Sequence, residues 1–225
     1  MQHLLSDQVS DLTKIYSKDI ELVSISRSKS EELSSAANQI LRPKMNTEVK
    51  WQQRTKDQDL PTKRLSESLK NDKAAIALAK EITSTNEILY DLLGCNEIEV
   101  RLTTLSAPMC PKFHADAVVC RLLTTISGIG TEWIREEDVD REILDGFEHD
   151  EEPLKTAKTI RHLEPLALSL LKGGMWQRGF GGVVHRSPHD TGMRLLLSYD
   201  PIFSIYCAYL GTAKYRGPIY FVKHA

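Results

Sequence analysis

Two stretches of this 225-residue chain hold side chains whose types and order suit a metal ion. The first, Cys110-Pro-Lys-Phe-His114-Ala-Asp116, contains a His-x-Asp pair. In an extended segment residues i and i+2 point to one face, so an imidazole and a carboxylate meet a single ion. The second, Gly181-Gly-Val-Val-His185-Arg186-Ser-Pro188, ends a strand on His185, and Arg194 opens the next strand after a short turn. With His185 facing back toward His114 and Asp116, two imidazoles and one carboxylate take one side of the ion and leave the other side open. That donor set suits iron(II) that must still accept a co-substrate and O₂. Arg194, one strand further round, offers a planar fork that clamps a carboxylate through two parallel hydrogen bonds, as the distal end of a 2-oxo acid requires. Arg121 and Arg186 flank the same expected cavity and compete for that role. No residue beyond the metal ligands is assigned to catalysis.

A rival chemistry uses the cysteines. Cys110 and Cys120 bracket the first motif as Cys-x3-His-x-Asp-x3-Cys, and thiolates with an imidazole suit zinc better than iron. The alternative function is then a non-catalytic zinc-binding or metal-handling protein. Against it, a small thiol inside Val118-Val119-Cys120 commonly packs as a hydrophobe. Trp133, Trp176 and Phe180 read as core, His189 in Ser-Pro-His-Asp as a turn residue, and Arg194 has Asp190 or Asp200 as alternative surface partners.

The elements that must position these residues change character along the chain. Ile20 to Ile25 alternates well enough for a short strand, and Ser28 with Glu31 forms a capping box for a helix that Pro43 stops. Lys44 to Thr62 is polar and aperiodic apart from Trp51 and reads as a loop or crossing segment. Leu65, Leu69, Ile76, Ala79 and Ile82 recur at helical spacing, and Ser84 with Glu87 opens a second, short helix that Gly94 closes. After Gly94 the period becomes two: Ile98, Val100, Leu102 and Thr104 share a face. Further strands are expected at Val118–Ser127, Thr131–Ile134, Leu166–Leu171, Gly181–Arg186, Arg194–Ser198, Ile202–Leu210 and Ile219–Val222. The charged stretch from Arg135 to Leu163, with Val139, Ile143 and Leu144 at helical spacing, is a surface excursion, either a lid or an insertion.

Many short strands behind a few helices indicate an α+β protein: a double-stranded β-helix of the jelly-roll or cupin kind with a helical N-terminal part packed on it. Residues 1–94 are expected to form that helical part with one short strand, and 95–225 the barrel that carries the metal site, together one compact unit. With 29 Lys+Arg against 31 Asp+Glu, the net charge of −2 removes the electrostatic basis for general nucleic-acid binding. Cys95, Cys110, Cys120 and Cys207 stand far apart without a C-x-x-C pair, which points to thiols in a reducing compartment. The start lacks a basic-then-apolar signal pattern and no apolar run approaches a membrane span, so a cytoplasmic protein with no membrane partner is expected. The substrate, a small molecule or a protein, has no readable code.

The order His-x-Asp, then His, then Arg nine residues later resembles the Fe(II)/2-oxoglutarate-dependent dioxygenase superfamily, whose double-stranded β-helix binds iron through such a triad. The resemblance implies His114, Asp116 and His185 as iron ligands and Arg194 as the residue that binds 2-oxoglutarate. More specifically, Cys110-Pro111, Phe113-His114, Asp116, Arg121-Leu122-Leu123, Gly128, Gly130-Thr131-Glu132-Trp133, Leu171-Lys172-Gly173 and His185-Arg186-Ser187-Pro188 resemble a bacterial family known as domain of unknown function 1826. That likeness spans most of the chain and brings no catalytic residue list of its own.

Overall fold

One of the two longest strands among the described residues shows how the chain separates its chemistry from its core. In the computed structural model, which describes residues 2–42, 47–145, 152–155, 159–189 and 192–203, this strand, Arg194–Ile202, puts Leu195, Leu197 and Tyr199 on one face. Arg194, Leu196, Ser198 and Asp200 occupy the other. In chain order the strands are β1 (Gln2–Ser6), β2 (Ile20–Ile25), β3 (Glu48–Arg54), β4 (Glu97–Leu105), β5 (Cys120–Ser127), β6 (Glu132–Ile134), β7 (Arg161–His162), β8 (Leu168–Lys172), β9 (Val184–Arg186) and β10 (Arg194–Ile202). The helices are α1 (Glu31–Leu41), α2 (Leu60–Leu69), α3 (Asp72–Leu93) and α4 (Arg141–Asp145).

Seven strands form a major sheet in the order β1-β2-β8-β5-β10-β4-β3, and three form a minor sheet in the order β7-β6-β9. Within the major sheet β1 and β2 are parallel and every other neighbouring pair is antiparallel. The apolar face of β10, continued by Leu122 of β5, Val23 of β2 and Val100 of β4, joins Leu33, Ala37, Leu78, Ile82 and Leu89 of the helices in one core. Burial of this face is the main driving force for placing the helices on it. Strands β1, β2 and β3 come from the front of the chain, so residues 2–94 contribute three strands to the sheet rather than the single one expected.

The minor sheet also has two distinct faces. Residues directly opposite in an antiparallel pair share a face, so Arg161, Trp133 and His185 lie on one side and Glu132, Ile134, Val184 and Arg186 on the other. The first side meets the major sheet: His3 of β1 stands edge-on to Trp133 with ring centroids 5.0 Å apart. The second side is covered by the excursion after β6, where Val139 packs with Phe113, Ile134 and Val184. In the stretch expected to be a lid or an insertion, Val139, Leu144 and Leu154 thus clad the outer side of the small sheet, and Arg161–His162 join that sheet as β7.

Three expectations are corrected by packing. Residues 48–54 form β3 instead of a loop, with Val49, Trp51 and Gln53 inward. Gln53 hides the alternation because it is polar, yet its carboxamide oxygen accepts from Trp51 Nε1 at 3.0 Å. The helix break falls at Lys70 and Asn71 rather than at Ser84: Asn71 caps α3 by accepting from Ala74 N at 3.1 Å, and α3 then runs 22 residues to Gly94. Thr85 and Asn86 continue its buried stripe between Ile82 and Leu89, so helical hydrogen bonds prevail over the Ser84–Glu87 box. Helix α1 is capped by Ser30, whose hydroxyl accepts from Leu33 N, not by Ser28. The strand expected at Ile219–Val222 and residues 204–210 of that expected at Ile202–Leu210 lie outside the described residues; Ile202 itself ends β10. Among the described residues no helix is long and apolar enough to cross a membrane.

Close backbone crossings bring the two motif stretches together. Gly182 has φ +85°, and a Cβ there would lie 2.7 Å from Gly174 N and 3.2 Å from the Ala115 side chain. The chain just before β9 thus presses against the residue between His114 and Asp116 in a way only glycine allows. Replacing Gly182 by Ala is expected to lower stability by roughly 1–3 kcal/mol in urea unfolding and to weaken divalent-metal binding in the same protein.

Candidate metal centre

His114 lies outside any named strand, yet it is locked to β9. Its backbone N–H donates to His185 O at 3.0 Å and its carbonyl accepts from His185 N at 2.9 Å. Residues that exchange both hydrogen bonds point their side chains to the same face, and the two imidazole rings stand with centroids 4.7 Å apart, tilted by 49°. Asp116, two residues on, joins them. One ligand atom from each of His114, Asp116 and His185 falls within 4.8 Å of the others. Asp116 Oδ2 is 3.2 Å from His185 Nε2, and Oδ1 is 3.8 Å from His114 Nε2.

The rings are oriented by their own main chain. Nδ1 of His114 is 3.0 Å from Lys112 O, and Nδ1 of His185 is 3.0 Å from Val183 O. A carbonyl only accepts, so each Nδ1 carries a proton and Nε2 is the ring atom turned toward the centre. Burial, with the neighbouring imidazole of His185, holds the His114 pKa below its ordinary value of 6.5. It is a neutral donor at neutral pH. Burial alone would raise Asp116; hydrogen bonding and charge from His185, Arg121 and His114 outweigh it and bring the carboxyl down to about 2. The site is open toward His114, whose side chain is 34% exposed against 14% for Asp116 and 7% for His185.

The three arginines separate by what they already hold. Arg121 of β5 donates Nε and Nη2 to the two carboxylate oxygens of Asp200 on β10, each at 2.6 Å, and Nη1 to Asp116 Oδ2 at 2.7 Å. It is committed to two carboxylates and braces the ligand Asp116. Arg186 lies on the outer face of β9, where it bonds Glu132 at 2.6 Å, pairs with Glu152 and stacks over the Phe113 ring. Its side chain leaves the sheet opposite to that of His185. Arg194 differs: it is 1% exposed, Nη2 donates to Thr131 Oγ1 at 3.3 Å, and Nε has no hydrogen-bond partner among the described residues. Burial pushes its pKa down to about 10, with Glu132 offsetting part of that, so it stays charged at neutral pH.

Register ties Arg194 to the candidate metal ligands. Trp133 lies opposite His185, and Thr131, two residues back along an extended segment whose carbonyl continues the ladder to Leu163 N, points the same way. The contact between Thr131 and Arg194 therefore places the guanidinium on the inter-sheet face that His185 shares. A buried donor without an acceptor costs about 1–3 kcal/mol.

The cysteine-based zinc site does not form. Cys120 is fully buried on β5, where burial raises its thiol well above the ordinary value, and neither it nor Cys110 joins the His114–Asp116–His185 group. His189 is exposed and Trp133, Trp176 and Phe180 are buried. Asp200 and Thr131 carry no local signal that marks them. They meet Arg121 and Arg194 only through the register of β5, β6 and β10. Beside His114 a cavity of about 600 Å³ opens between Phe113, Ala115, Phe180 and, on α4, Arg141 and Leu144.

The chain belongs to the family described as "Protein of unknown function (DUF1826)", whose members it matches over residues 6–200. A search of curated proteins finds no match. Among solved structures it is similar to the Arabidopsis thaliana dioxygenase for auxin oxidation 1 in binary complex with 2-oxoglutarate: TM-score 0.58, 11% identity, 92% of this chain and 94% of that one. The rice dioxygenase for auxin oxidation gives TM-score 0.56 at 10% identity over 88% of this chain and 78% of that one. IDO from Bacillus thuringiensis gives 0.51 at 13% identity over 88% and 96%. At these identities the likeness is one of fold.

Removing the brace is expected to weaken the site. Arg121→Met or Asp200→Asn should lower manganese(II) affinity about 10–100-fold in calorimetric titration. Wild-type affinity should fall on the acid side, because protons compete for the Nε2 lone pairs. The lowered pKa of His114 places its share of that loss below 6.5.

Proposed function

We propose that this protein is an Fe(II)/2-oxoglutarate-dependent oxygenase, its two sheets closing as a double-stranded β-helix around the site. One observation carries the reading: two imidazoles and a carboxylate share an inter-sheet face with a buried arginine that has a donor to spare. The donor set is hard and nitrogen-rich without thiolate, as iron(II) requires. The fold shared with a 2-oxoglutarate complex supports the same assignment.

When bound together, iron(II) and 2-oxoglutarate supply an oxidant from O₂, with one oxygen atom entering succinate as CO₂ leaves and the other going to the substrate. The chain's work is binding and orientation. His114 and His185 present Nε2 atoms whose direction their Nδ1–H bonds set. Asp116 presents a charged carboxylate held by Arg121, with Oδ1 the less engaged oxygen. Arg194 holds the distal carboxylate of the 2-oxo acid by charge-assisted hydrogen bonds, strengthened by burial. The cavity beside His114 has the size of a small-ligand site and offers the substrate an approach from the open side.

Anaerobic addition of iron(II) and 2-oxoglutarate is expected to give the visible charge-transfer band of the chelate. His185→Ala should abolish stoichiometric iron binding, whereas Arg194→Ala should keep the metal and weaken 2-oxoglutarate. A wild-type protein that binds iron(II) but develops no band, or a His185→Ala variant with wild-type iron affinity, overturns the assignment.

A further inference from the structure

We propose that Trp133 is a second anchor of the co-substrate, its indole N–H donating to the carboxylate that Arg194 grips; this rests on the oxygenase reading. Trp133 is 1% exposed, and its Nε1 has no hydrogen-bond acceptor among the described residues. The other buried indole with a defined partner shows how this protein treats such a group: Trp51 Nε1 donates to Gln53 Oε1 at 3.0 Å. No side chain does that for Trp133. What surrounds it is another ring and a cation: His3 edge-on at 5.0 Å between centroids and the Arg161 guanidinium 6.0 Å from the ring centre. The nearest acid on its own strand, Glu132, leaves by the opposite face and is engaged by Arg186.

Position supplies the second part of the argument. Trp133 stands directly opposite His185, while Thr131, two residues back on the same face, touches Arg194. An anion that reaches from the metal to Arg194 therefore passes the indole. Two buried donors on one inter-sheet face, the Trp133 Nε1–H and the Arg194 Nε–H, both lack acceptors. A carboxylate is acceptor-only and has lone pairs enough for both. The rigid ring, fixed by strand register, also needs little ordering when the anion arrives.

The test uses the full chain with zinc(II) as a diamagnetic occupant of the metal site and ¹⁵N-tryptophan labelling. The chain has three tryptophans, and the Trp133 indole resonance is identified by its loss in Trp133→Phe. On titration with 2-oxoglutarate that resonance should move downfield while the Trp51 resonance stays. Trp133→Phe should bind 2-oxoglutarate at least about tenfold more weakly with unchanged zinc(II) affinity. An unmoved Trp133 resonance in wild-type protein that does bind 2-oxoglutarate overturns the proposal while the oxygenase reading stands. Wild-type protein that binds none overturns both. Should Trp133→Phe fail to fold, the Trp133 resonance is identified by elimination with Trp51→Phe and Trp176→Phe, and the wild-type titration decides.

Discussion

A single pair of backbone hydrogen bonds, exchanged between His114 and His185, is the constraint on which the site depends. Those residues are 71 positions apart in sequence, and nothing in their side chains forces them together. The ladder does, because closing it puts both imidazoles on one face and carries Asp116 in beside them. The minor sheet and the Gly182 crossing exist around that contact, and the apolar face of the major sheet provides the folding energy that holds the strands in place.

Buried charge is then distributed unequally. Arg121 and Arg186 each face two carboxylates, Asp200 and Asp116 for the first, Glu132 and Glu152 for the second. Pairs of this kind contribute little net stability once desolvation is counted, but they fix geometry. Arg121 makes β10 part of the metal site by way of Asp200, on the same strand that begins with Arg194. Arg194 is the exception, a deeply buried guanidinium whose Nε has no acceptor among the described residues, an arrangement that costs free energy.

The gathering of His114, Asp116 and His185 was legible in the sequence because their chemistry is rare and their spacing local: His-x-Asp, then a His at a strand end. What sets Arg194 apart from Arg121 and Arg186 was not, since all three lie near the motifs and only the faces of β5, β9 and β10 separate them. Amphipathic periods revealed most strands and the helical front. They failed where a polar side chain is buried with a partner, as Gln53 is in β3, and where a good capping sequence lies inside a longer apolar stripe, as Ser84 and Glu87 do in α3. Pairings across strands, such as Arg121 with Asp200, have no one-dimensional signature.

The imidazoles take their orientation from carbonyls two residues earlier in the chain, and not from neighbouring side chains. Peptide oxygens are present whatever residue occupies Lys112 or Val183. The aim of both ligands is thus written into chemistry that substitution at those two positions does not erase, which leaves the surrounding surface free to diverge while the centre keeps its direction.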